Sequence, residues 1–206
     1  MIARNENLEA KQEIEQVITD WGFARDSGDW KLLSSCFQPD ATIHISWFSG
    51  SAQEFIERSA VMLSENKPGE VTKHNFGRTR IRVAGQRAVS ESHVELLKRV
   101  VADPFDYDTQ TWGRFYDHLE KREDGLWRIF KRTMVYEKDR MEPVNPSEVP
   151  EGFYETMELS LYPVACQFLC YRLGKNGRKP MDNIIQVHSN AEVSLRQETE
   201  QWLNPV

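Results

Sequence analysis

From Leu8 to Ala24, apolar residues fall at Leu8, Ile14, Val17, Ile18, Trp21 and Ala24, approximating the three-and-four spacing of an amphipathic helix. Ser27-Gly28 breaks that pattern, and Asp29 stands where it can cap a second, short helix, WKLLSSCF. ATIHISW then alternates and is rich in β-branched residues, which predicts a strand. Ser51 and Glu54 form an S-x-x-E capping box that opens a third helix, AQEFIERSAVML. After Pro68-Gly69 the period changes from helical to alternating. RTRIRVAG, RAVSESHVELLKRV, TWGRFYDHLEKRE and LWRIFKRTMVYEK are long strand candidates, with Gly85-Gln86 and Asp124-Gly125 at hairpin turns.

Three helices followed by four long antiparallel strands predict an α+β fold, in which a curved, mixed or antiparallel sheet wraps around the helices. PVNPSEVP, from Pro143 to Pro150, marks the end of this unit. Residues 1–145 therefore read as one domain and 146–206 as a C-terminal extension, packed on the domain or on an oligomer partner. Within the extension, YPVACQFLCYRLGKNG has Pro163 at a first-turn position and Gly174 at a stop, which predicts a helix. SNAEVSLRQETEQWL opens on a second capping box, Ser189 to Glu192, and predicts a last amphipathic helix.

Composition narrows the function classes. Six tryptophans in 206 residues allow a sizeable core. The net charge of −6 argues against a general nucleic-acid binder. No apolar run has the length of a bilayer span, and the N-terminus is charged from the outset, unlike a signal peptide. Cys36, Cys166 and Cys170 lack the spacing of metal ligands, and Cys166 and Cys170 share a helical stripe. They read as buried thiols of a protein in the reducing cytoplasm, and no metal or cofactor is expected.

The stretch FARDSGDW carries the first candidate chemistry. Asp26 ends the first helix, and Asp-Ser-Gly is equally the sequence of a simple turn. Order and spacing add to this. ARDSGDWKLLSSCFQPDATI, TKHNFGRTRI and YDHLEKREDGLWRIFKR together resemble the SnoaL-like group of the NTF2-like superfamily, which includes scytalone dehydratase and hexachlorocyclohexane dehydrochlorinase. The resemblance covers about Leu8 to Val144 and implies a cone-shaped sheet closing on the N-terminal helices. It also implies that Asp26 pairs with His74. A carboxylate on the far nitrogen of an imidazole fixes its tautomer and stabilises its cation, so such a pair can remove a proton from carbon.

The remaining candidates concern the pocket. Ile43 and Ile45 are expected to face inward and His44 outward. By the resemblance, Ile45 replaces a substrate-binding tyrosine and Trp21 a lysine, which implies a more hydrophobic wall and argues against dehydrochlorination. Trp47 is a further candidate lining residue. Trp112 and Tyr116 share a strand face with Arg114, opposite Phe115 and Asp117, and the pattern leaves open which face is inward. By the resemblance, Arg132 matches an arginine common near the end of SnoaL-like domains, a place from which it can bind a leaving group or a carboxylate, with an internal salt bridge as the alternative. Tyr136 is a candidate oxyanion donor or a core residue. His93, His118 and His188 read as non-catalytic. The expected function is a cofactor-independent lyase or isomerase acting on a small hydrophobic, aromatic or cyclic molecule, in a homodimer or homotrimer. A non-catalytic binding module and the small subunit of a ring-hydroxylating oxygenase are the alternatives.

Overall fold

A computed structural model describes residues 2–204. Helix α1 (Ile2–Ser27) buries Ala10, Ile14, Ile18, Trp21 and Ala24 along one stripe, while Leu8 is exposed. It ends because Gly28 adopts a positive φ of 75°, open to glycine at little cost. Asp29 then accepts a hydrogen bond from Leu32 N at 2.9 Å and caps α2 (Trp30–Ser35). Ser51 caps α3 (Ala52–Ser64) in the same way, through Glu54 N at 3.2 Å. Each of these side chains satisfies one of the amides that a helix N-terminus leaves without a partner.

Strands β1 (Phe37–Ile45), β2 (Phe48–Ser51), β3 (Val71–Ala84), β4 (Arg87–Val100), β5 (Tyr107–Lys121) and β6 (Trp127–Pro143) form one sheet in the order β2-β1-β6-β5-β4-β3. All neighbours are antiparallel except β1 and β6, so the sheet is mixed. Strand β3 starts seven residues before the alternation RTRIRVAG. A register shift between Phe76 and Thr79 interrupts its period, which is why the sequence pattern alone misses the segment that holds His74.

The concave face packs on α1 and α3 through Ile43, Phe115, Met134 and Tyr136, joined by Phe37 and Phe55 in the main core. The C-terminal segment closes two sides of this unit. Helix α4 (Gln167–Lys175), entered through a 3-10 turn at Val164–Cys166, buries Cys166, Leu169, Cys170 and Leu173 in the main core. Its first amides are received by Asp139 of β6, whose oxygen accepts from Leu169 N at 2.8 Å. Burial pushes the Asp139 carboxyl up to about 6. The short strand β7 (Ile185–Gln186) pairs with β6 just beyond the end of β1. Helix α5 (Asn190–Leu203), capped by Ser189, lies on the convex face, where Leu195 packs on Tyr116 and Val135. The three cysteines are buried free thiols. No helix among the described residues is long and apolar enough to cross a membrane.

Candidate active site

Asp26 sits on the last turn of α1 and His74 on β3, forty-eight positions apart in the chain, and the fold brings them together. His74 Nδ1–H donates to Asp26 Oδ1 at 2.6 Å, and the His74 backbone N–H donates to Asp26 Oδ2 at 2.7 Å. A carboxylate only accepts, so this contact puts the proton on Nδ1 and leaves Nε2 as the basic nitrogen. Gly22 permits the close approach of helix and strand. A Cβ there would stand 2.9 Å from the Phe76 ring.

Burial lowers the His74 pKa, and the Asp26 carboxylate opposes that shift without cancelling it. Burial thus favours the neutral imidazole, which sits against an aromatic cage. Trp21 meets the His74 ring edge-on with centroids 5.2 Å apart, stacks near Phe55, and touches Phe76 and Phe115 edge-on.

This wall borders a cavity of about 630 Å³. Trp21, Ile43, Ile45, Trp47, Arg132 and Tyr136 all line it, along with His74. Arg132 is fully buried and gives two hydrogen bonds to Asp117, from Nε at 2.7 Å and from Nη2 at 2.8 Å. Its guanidinium lies between the Trp21 and Phe115 rings, 4.2 and 4.3 Å from their centroids. So the internal salt bridge is formed, and Arg132 also stands among the residues around the cavity. Arg132 Nη1 and Trp21 Nε1 are buried donors with no partner among the described residues. Tyr136 accepts from Ser46 N at 2.8 Å, and burial raises its pKa, keeping it neutral.

Trp112 and Tyr116 are corrections to the expected lining. Both lie on the convex face, because the inward side of β5 carries Thr111 and Phe115. Tyr116 packs under α5 and donates to Glu91 at 2.7 Å, in a cluster where Arg114 pairs with Glu91, Glu137 and Glu192. Trp112 donates to Glu95 at 2.9 Å and lies under Lys138. The charged partners explain the placement, since Glu91, Glu95, Arg114, Glu137 and Lys138 of the sheet and Glu192 of α5 gather on this side. His44 also faces away from the cavity, with Nε2 3.1 Å from the Asn183 carbonyl. His118 is buried against Trp202.

The sequence reading missed the cavity's charge. Arg25, one turn beyond Trp21 and on the same helix face, lines the cavity, with burial lowering its pKa to about 10. The i, i+4 spacing to Trp21 was the available signal. Lys98 of β4 and Arg172 of α4 also line it, and only the tertiary fold brings them there. The apolar wall expected around Trp21 therefore faces a basic one. Among the described residues no three His, Cys, Asp or Glu side chains converge as a metal site.

The sequence profile described as SnoaL-like domain matches residues 6–133. The chain belongs to the SnoaL-like domain family. Pea pathogenicity protein 2 of Fusarium vanettenii is 30% identical over 162 residues, which span 77% of this chain and 67% of that protein. Among solved structures, a putative scytalone dehydratase from Novosphingobium aromaticivorans superposes with a TM-score of 0.57 at 18% identity, covering 72% of this chain and 99% of that one. A hexachlorocyclohexane dehydrochlorinase superposes with a TM-score of 0.58 at 17% identity over the same shares. At these identities the structural likeness speaks for the fold, an NTF2-like cone of sheet and helices. In this SnoaL-like chain the match stops at residue 133, so α4, α5 and the cavity wall contributed by α4 lie beyond the matched domain.

Proposed function

We propose that this SnoaL-like protein is a cofactor-independent lyase or isomerase, acting on a small substrate with an aromatic or cyclic body. One observation carries the reading: the Asp26–His74 contact, with Nε2 left basic at the wall of a cavity large enough for such a molecule. His74 Nε2 takes a proton from a carbon next to a carbonyl or from a hydroxyl. The resulting imidazolium is held by Asp26, whose two oxygens are fixed by the His74 ring and backbone amide. Negative charge then builds on the substrate oxygen. The unpartnered Trp21 Nε1–H and Arg132 Nη1–H are the donors that suit it. In an elimination, the imidazolium returns its proton to the departing hydroxide, which leaves as water. In an isomerisation, it returns the proton to another carbon.

The fold-level likeness to a putative scytalone dehydratase and a dehydrochlorinase supports a proton-abstraction chemistry without choosing the substrate. The test is a screen of aromatic hydroxy-ketones and vicinal diols for loss of water, followed by ultraviolet absorbance, with His74→Ala and Asp26→Asn as controls. General-base catalysis is worth about 10²–10⁴-fold, so His74→Ala should lose activity on that scale. Turnover that survives His74→Ala unchanged would remove the imidazole from the mechanism.

A further inference from the structure

The cavity is basic although the protein is acidic. Its lining holds seven Lys or Arg side chains and three carboxylates, in a chain whose net charge is −6. Most of these cations are already answered. Arg132 pairs with Asp117, and Arg178 pairs with Glu65. Lys98 lies 3.3 Å from Glu70 and donates to Asn66 at 2.9 Å. Arg25 makes no ion pair among the described residues either, but it stands beside the Asp26 carboxylate on α1, whose charge favours its cation. Lys67 and Lys175 are exposed at the rim, where water screens them.

Arg172 is different. It is 5% exposed, makes no ion pair or side-chain hydrogen bond among the described residues, and its Nε is a buried donor without a partner. Burial lowers its pKa, and Glu70, whose charge opposes that shift, is already paired with Lys98. An unpaired buried guanidinium is costly, and a protein keeps one where something else supplies the anion. Tyr107 lines the same end of the cavity, close enough for its charge state to respond to Arg172, and its hydroxyl makes no side-chain hydrogen bond among the described residues.

The sheet register measures how far this end lies from the dyad. His74 pairs with Leu96, and Val100 pairs with Tyr107. Four positions along β4 at about 3.3 Å each put the two registers about 13 Å apart.

We propose that Arg172, with Tyr107 beside it, is a carboxylate subsite, so that the cavity takes an elongated aromatic or cyclic monocarboxylic acid. Its acid group is held under α4 and its body lies toward His74. A guanidinium presents two parallel N–H groups that match one carboxylate, and a single unanswered positive charge suits a monoanion better than a phosphate dianion. This deepens the functional reading by naming the substrate class, but it concerns binding and stands apart from whether His74 acts as a base.

The probes are 2-naphthoate and its neutral isostere 2-naphthamide, titrated by quenching of tryptophan fluorescence and by calorimetry, with no turnover needed. Wild type should bind the acid at least about tenfold more tightly than the amide. Arg172→Met should remove that preference and leave amide binding unchanged, and Arg172→Lys should restore only part of it. If Arg172→Met fails to fold, the wild-type ratio and the Lys variant still decide. Equal affinity for acid and amide, no binding of either at millimolar concentration, or a preference that survives loss of the guanidinium would each overturn the proposal. Asp26→Asn and His74→Ala should keep the naphthoate preference, so a failed dyad and a failed subsite give different results.

Discussion

Asp117→Asn isolates the buried pair that underlies the Trp21 side of the cavity. Both Asp117 and Arg132 are fully covered, and Asp117 receives two hydrogen bonds from the guanidinium at 2.7 and 2.8 Å and one from Ser90 Oγ at 3.2 Å. The asparagine keeps the shape but loses the charge and puts an amide donor against a guanidinium donor. Breaking one partner of a buried pair costs about 3–5 kcal/mol, because the remaining charge is left buried without compensation. The i, i+4 pair Arg58–Glu54, with both side chains about half exposed, sets the contrast. Losing such a surface pair costs about 0–1 kcal/mol. For a chain of this size, 3–5 kcal/mol lowers the melting temperature by about 6–20 °C. Urea unfolding followed by tryptophan fluorescence gives the free energy directly, with an unchanged m-value required for a clean comparison. The double variant Asp117→Leu with Arg132→Met removes both charges and should recover much of the loss. A cost for Asp117→Asn below about 1 kcal/mol would refute the claim that this pair is desolvated and structural.

Other consequences follow from individual side chains. Trp21→Phe keeps a ring against Phe55 and removes the unpartnered indole N–H. On the proposed mechanism kcat falls about tenfold or more while the urea midpoint moves little, and an unchanged kcat would exclude Trp21 as an oxyanion donor. His118 is buried against Trp202, and burial pushes its pKa down to about 4. A folded-state pKa below the unfolded value of 6.5 means stability that is present above pH 6.5 and lost as pH falls toward 4, by up to about 3 kcal/mol. His118→Phe, which retains the stack, should flatten this part of the pH dependence measured by urea unfolding at pH 4 and 6.5. For the dyad, a lowered His74 pKa places the acidic limb of kcat/KM below pH 6.5. A limb above 7 would contradict a neutral, buried imidazole.

The helices were legible because their signals are local. The capping residues Asp29, Ser51 and Ser189 all form the bonds that their spacing implies. Ile43 and Ile45 face the cavity, as strand alternation requires. Alternation alone could not choose the inward side of β5, since Trp112 and Tyr116 are amphipathic and suit either face. Their outward direction is set by Glu91, Glu95 and Glu192 on other elements. Arg172 illustrates the limit best. It lies three residues from Leu169 on a buried stripe of α4, yet its role depends on α4 crossing a cavity built by strands far earlier in the chain. Arg25 was within reach of local reasoning, whereas Lys98 and Tyr107 enter the same cavity only through the register of β4 and β5.

The pairing of Asp26 with His74 is the centre of the account, and NMR titration of the His74 ring in wild type and in Asp26→Asn tests it most directly. Asp26 is the group that raises the His74 pKa against the lowering effect of burial. In the Asp26→Asn protein the His74 pKa should drop further and clearly, along with a loss of the Nδ1–H tautomer preference. Identical titration curves in the two proteins would contradict this pairing, because the imidazole would then be indifferent to a carboxylate 2.6 Å away.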